Sequence, residues 1–250
     1  MTFKDYFSKQ AADYARYRPR YPDAMFEYLA GLTPKHKIAW DCGTGNGQVA
    51  LSLTPYFEQI YGTDASADQI AHAFAHPKVS YAVAPAEQTM LSADSIDLVT
   101  VGLAIHWFDV PRFYQEVRRV AKPAAILAVW CSGDFLQTVE TEKICDWVQA
   151  YRQRIQPWVA PEVALIDANY ETLPFPFDEI QPPKFQMSAQ WQQTDLVGCL
   201  KTWSAVQRMI QAEGPQIFET VEADLAEIWP DAERVLTFHW PIYLRVGKIL

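Results

Sequence analysis

Seven consecutive residues, Asp41-Cys42-Gly43-Thr44-Gly45-Asn46-Gly47, place three glycines two apart behind an acidic residue, a D-x-G-x-G-x-G spacing. Glycine lets a backbone turn tightly and lets a ligand approach the main chain, and a helix that follows adds free N–H groups at its first turn. A dinucleotide fingerprint reads G-x-G-x-x-G; here Gln48 stands where its third glycine belongs, and that glycine comes one residue early, at Gly47. Seventeen residues past Gly47, Asp64 offers a carboxylate that can accept hydrogen bonds from both hydroxyls of a ribose. Loop and carboxylate in register suit an adenosine with an unphosphorylated ribose. The plainer alternative is ordinary turn chemistry next to a strand-end aspartate.

Other residues point to a second ligand. Near the N-terminus Arg16, Arg18 and Arg20 alternate with Tyr14, Tyr17 and Tyr21 in an acidic chain. Arginine grips a carboxylate bidentately and tyrosine closes over a ligand, so the segment reads either as a substrate lid or as a solvated face with packed tyrosines. His106 follows an apolar run and can serve as a general base, orient a carboxylate, or simply form a wall. Trp107 and Trp203 are candidate pocket walls, whereas Trp240 reads as core. His72 and His76 have the i, i+4 spacing of a metal pair, but Ala-Phe-Ala lies between them and no third ligand is evident, so no metal is expected. Cys42, Cys131, Cys145 and Cys199 are scattered without a C-x-x-C pair and read as reduced, structural residues.

The elements that must position these groups alternate. A strand at Ile38 to Asp41, the glycine turn, and a helix in VALSLTPYF come first, followed by a strand QIYGTD and a helix SADQIAHAFAH stopped by Pro77. KVSYAVA gives a third strand, Ser95 to Leu103 a central strand buried on both faces, PRFYQEVRRVA a helix, and AAILAVW a fifth strand. This alternation predicts a parallel, doubly wound α/β sheet. Beyond about residue 133 the rhythm changes: Thr138 to Gln153, Leu196 to Gln211 and Pro215 to Ile228 read as helices, and KFQMSAQW and VLTFHWPIYLRVG as an antiparallel edge pair.

The 250 residues, half of them hydrophobic, suffice for one large domain with a helical insertion. A net charge of -9 and the lack of any long Lys/Arg run exclude a phosphate-tracking surface, so nucleic acid is not expected as a partner. No stretch reaches the roughly 18 apolar residues of a membrane span, and the start lacks an apolar leader; the expectation is a cytoplasmic protein without a membrane partner, monomeric or homodimeric.

With these motifs in place the chain resembles the type 11 class I S-adenosylmethionine methyltransferases over most of its length. The resemblance implies a seven-stranded Rossmann-like sheet, mostly parallel with an antiparallel edge strand, plus a helical cap. It divides a single domain, 1–250, into a lid at about 1–33, a core at about 34–133, and an insertion with closing strands at about 134–250. It implies S-adenosylmethionine as cofactor, bound by Asp41, Gly43, Gly45, Gly47, Asp64 and Ala65, with Ala86 and Glu87 beside the adenine. Where members often read Lys-Pro-Gly-Gly, this chain has Lys122-Pro123-Ala124-Ala125, so the turn is expected to avoid positive φ. Tyr14 to Pro22, His106-Trp107-Phe108-Asp109 and Leu200 to Ser204 are similar to the branch containing trans-aconitate methyltransferase. That likeness implies a small-molecule methyl acceptor, foremost a small di- or tricarboxylic acid methylated on a carboxyl oxygen. Tyr14, Tyr17, Arg18, Tyr21, Trp107 and Trp203 would line its site, and His106 would be the catalytic candidate. A C-, N- or phenol-methylating enzyme with His106 as base, and a module that binds the cofactor without turnover, stay open at this point.

Overall fold

The computed structural model describes residue 17, residues 19–133 and residues 140–249. Among them eight strands form one sheet: β1 (Ile38–Cys42), β2 (Gln59–Asp64), β3 (Val79–Val83), β4 (Ile96–Gly102), β5 (Ala121–Ser132), β6 (Asp178–Ile180), β7 (Phe185–Trp191) and β8 (Leu236–Lys248). Their spatial order is β3-β2-β1-β4-β5-β8, with β6 and β7 both on the outer edge of β8. The first five are parallel, and β8 runs antiparallel to β5, β6 and β7. Strand order reverses between β1 and β4, which opens a crevice at the carboxyl ends of those strands.

The helices are α1 (Asp23–Leu32), α2 (Gln48–Ser52), α3 (Ala67–Ala71), α4 (Val110–Val120), α5 (Glu142–Ile155), α6 (Ala164–Asp167), α7 (Gln193–Lys201), α8 (Ser204–Glu213) and α9 (Ile217–Ile228). Two cores result, one on each face of the sheet. Met25, Phe26 and Leu29 of α1 join α2, α5 and α7 to α9 in one, while Phe113, Val117 and Val120, one stripe of α4, press on Trp40, Val99 and Leu127 in the other. Ile96 to Val101 of β4 are all buried, as a strand covered on both faces requires.

Four expectations need correction. The sheet has eight strands, not seven, because Pro182 and Pro183 split the outer edge into β6 and β7. β7 and β8 form the antiparallel pair expected at this edge of the sheet, with β8 lying between β5 and the outer strands. The helix predicted from Ser66 to His76 ends at Ala71: Phe74 N donates to the Asn46 carbonyl at 3.0 Å, which draws the chain off the helix and onto the glycine loop. Ala124 adopts φ +65 despite its Cβ, held between Ile249 hydrogen bonds to Ala124 N and Ala125 O. The long helical segment predicted from Leu196 to Gln211 also breaks at Thr202 and Trp203. No helix among the described residues is long and apolar enough to cross a membrane.

Candidate functional site

The glycine loop leaves β1 with Gly43, Gly45 and Gly47 at φ +68, +54 and +90. Each glycine has a different reason. A Cβ on Gly43 would strike Ala104, so this glycine lets the loops after β1 and β4 touch, and one on Gly47 would strike the Tyr81 ring. At Gly45 a Cβ would find only Gln69 Oε1, 3.7 Å away. Apart from its backbone conformation, Gly45 thus leaves a gap over the loop that a side chain would enter.

Carboxylates hold this loop. Asp41, 1 % exposed, accepts from Thr44 Oγ1 at 2.5 Å and Thr100 Oγ1 at 2.9 Å. Burial pushes its carboxyl up to about 7, the two hydroxyls pull the other way, and neighbouring Asp64 adds to the rise. Asp64 accepts from Gly45 N at 2.9 Å and Ser66 N at 2.8 Å, locking the loops after β1 and β2 together. Ala65 is half-buried beside it, Ala86 is buried, and Glu87 accepts from Asp109 N at 2.7 Å, tying the loop after β3 to the start of α4.

A cavity of about 220 Å³ opens beside this cradle, with Gln48 of α2 and Leu103, His106 and Trp107 after β4 in its wall. Tyr21, Trp203 and Trp240 also line it; Trp240 is as buried as a core residue, yet reaches the cavity through one side. Tyr17 instead packs on Gly198 of α7, where any side chain would collide with its ring, and Arg20 is exposed. Tyr14, Arg16 and Arg18 lie outside the described residues.

His106 sits in a single 3₁₀ turn, Ile105–Trp107, 6 % exposed, with Nδ1 3.0 Å from the Tyr170 hydroxyl. Burial lowers its pKa to about 4, and the smaller pull of the Glu162 charge does not reverse this. The ring is neutral near pH 7. Among the described lining residues the charged pair is Arg152 of α5 and Asp167 of α6, joined at 2.8 Å.

Sequence reading missed Arg152, Asp167 and Tyr170. Arg152 did carry a signal: it lies four residues after Val148 and three before Ile155, both on the buried face of α5, and a charge on an apolar stripe marks a site. Asn169 before Tyr170 hinted at a left-handed turn, but nothing in the sequence brings residue 170 to residue 106. His72 and His76 are not on one helix, and no group of three or more metal-type ligands occurs among the described residues.

Comparison with known proteins identifies the family. Residues 40–129 match the family model described as a methyltransferase domain. A solved structure from Anaeromyxobacter dehalogenans, described as a type II methyltransferase, shares 38% identity over 93% of this chain and 98% of its own, with a TM-score of 0.83. A Dictyostelium discoideum protein named as a methyltransferase is 27% identical over 98% of this chain and 95% of its own. A Saccharomyces cerevisiae protein whose name specifies S-adenosylmethionine dependence is 27% identical over 48% of this chain and 45% of its own.

Proposed function

Because the chain belongs to the class I S-adenosylmethionine-dependent methyltransferases, we propose that its acceptor is a small carboxylic acid, methylated on a carboxyl oxygen. The observation that carries this reading is a small cavity whose described lining brings together an arginine, Arg152, and a histidine, His106, with its pKa lowered to about 4 by burial. When bound, the cofactor supplies a sulfonium methyl, already activated by its positive charge. A carboxylate acceptor is ionised near pH 7 and needs no proton removed, whereas a phenol, carbon or ammonium acceptor needs a base with a pKa near the working pH. His106, at about 4, is poorly matched to that task.

The cradle fits the cofactor. The gap over Gly45 would admit its chain against the loop, and the Asp64 carboxylate at the end of β2 would accept from the ribose hydroxyls. Ala65, Ala86 and Glu87 would flank the adenine, and the Asp41 and Asp64 carboxylates favour a cation nearby. On the acceptor side Arg152 would bind an acid group, Tyr21, Trp107 and Trp203 would exclude water, and the chain's main contribution would be alignment, worth about 7 to 11 kcal/mol. The likeness to the trans-aconitate methyltransferase branch puts a di- or tricarboxylate first.

A methyl-transfer screen over di- and tricarboxylates, phenols and amines, read through S-adenosylhomocysteine release, tests the proposal. Turnover confined to acids is expected. Turnover of amines or phenols alone would overturn it.

A further inference from the structure

We propose that Tyr170 is a positioning residue that fixes His106 as a hydrogen-bond donor, presenting its Nε2–H to the cavity to hold an anionic oxygen of the acceptor. For what that donor grips, this rests on the small-acid reading; the fixing of the ring does not.

Hydrogen-bond accounting carries the inference. Tyr170 is fully buried, and its hydroxyl has His106 Nδ1, 3.0 Å away, as its hydrogen-bond partner among the described residues. Two arrangements are possible. If Nδ1 carried the proton and donated to the phenol, the phenolic hydrogen would be left buried with no acceptor among the described residues. If the phenol donates to Nδ1, every buried atom is satisfied and the ring proton must sit on Nε2. Leaving a buried donor unmade is the costlier choice, so the second arrangement prevails. Nε2 has no hydrogen-bond partner among the described residues, yet it is not among the sealed, partnerless polar atoms of the interior, and His106 lines the cavity. The remaining N–H therefore meets whatever the cavity holds.

The backbone is built to keep this pair in place. Asn169 and Tyr170 take φ +52 and +59, and Leu103, three residues before His106, takes φ +53. Bulky residues resist that region, and such strain persists only where surroundings over-determine it. Here Arg245 of β8 does so: Nη1 donates to the carbonyls of Tyr170 at 3.1 Å and Leu173 at 2.6 Å, while Nε and Nη2 grip Glu179 at 2.8 Å each. The chain of control runs from Arg245 through the Tyr170 turn to the His106 ring.

The test is a nitrogen NMR spectrum of the full, ligand-free chain labelled with 15N-histidine, the His106 signals being assigned by their loss in His106→Gln. At pH 7.5 the expected result is protonated Nε2 and an unprotonated Nδ1 whose hydrogen-bond shift disappears in Tyr170→Phe. A protonated Nδ1 in the natural chain, or an Nδ1 signal indifferent to Tyr170→Phe, would overturn the proposal. Turnover of the best acid gives a second readout: His106→Leu, which has no donor, should raise the acceptor KM about ten- to a hundredfold, and His106→Gln, which keeps an N–H, should raise it by less. Equal losses in the two variants contradict a donor. If the natural chain turns over no acid, the small-acid reading fails, and the spectrum still decides the tautomer.

Discussion

The proposed cofactor cradle and the proposed acceptor cavity are built in opposite ways. The cradle comes from three successive loops, after β1, β2 and β3, and its key groups lie within residues 41 to 87. The cavity proposed for the acceptor gathers Tyr21, His106, Arg152, Asp167, Trp203 and Trp240 from almost the whole chain. A contiguous cradle constrains neighbouring residues together, so its identity can be carried by a short spacing. A dispersed cavity can change one wall at a time, and so can change its ligand while the fold stands. This is the physical sense in which one cofactor site serves many acceptors.

The sharpest way to break this division is Gly45→Ala. A methyl group there projects into the gap rather than into protein, so S-adenosylmethionine affinity by calorimetry should fall about a hundredfold, while the left-handed alanine lowers stability by only about 1 kcal/mol. Equal affinity would mean that the gap is not where the cofactor lies.

An effect of similar size is expected on the acceptor side, read as stability. His106 titrates at about 4 in the folded chain against an ordinary 6.5, so as pH falls the unfolded chain takes up the proton first. Its contribution is present above about 6.5 and is lost as pH drops toward about 4, a change of up to about 3 kcal/mol. Denaturant unfolding at several pH values should show that slope, and His106→Gln should flatten it. Asp41, raised to about 7, acts with the opposite sign, favouring the folded state below about 4 and losing that advantage as pH rises to about 7. The comparison therefore must be between the variant and the natural chain.

Arg152→Met should raise the KM for an acid acceptor about tenfold without changing cofactor affinity, since a hydrogen bond to a charged group is worth about 1.5 to 3 kcal/mol and Asp167 shares this arginine. Asp167→Asn, by removing a competing carboxylate, should lower that KM. Parallel changes in cofactor affinity would erase the separation of the two ends. The smallest effect lies far from both: Ala124→Gly should stabilise the chain by about 1 kcal/mol, because glycine relieves φ +65.

Legibility follows the same division. The second strand was readable residue for residue, Gln59 to Asp64, because an apolar run ends there at a turn signal. β4 was readable because six buried residues in a row leave little choice of element. β6 was not: Asp178-Glu179-Ile180 has no hydrophobic pattern, and pairing with Val246 to Lys248 alone makes it a strand. α3 was overread because Ala-His-Ala-Phe spacing continues the helix on paper, whereas the Phe74 contact with Asn46 ends it. In the site, Gly43 to Gly47 and Asp64 announced themselves by spacing, while Tyr170 and Arg152 become neighbours of the cavity only through tertiary folding.

The most direct test of an acid-binding cavity that works without a base is the pH dependence of kcat/KM for the best acid acceptor, with S-adenosylmethionine saturating. From pH 6 to 9 the profile should be flat, because the acceptor stays ionised and His106 stays neutral. A rising limb with a midpoint near neutrality that vanishes in His106→Gln would contradict the account and make His106 a base.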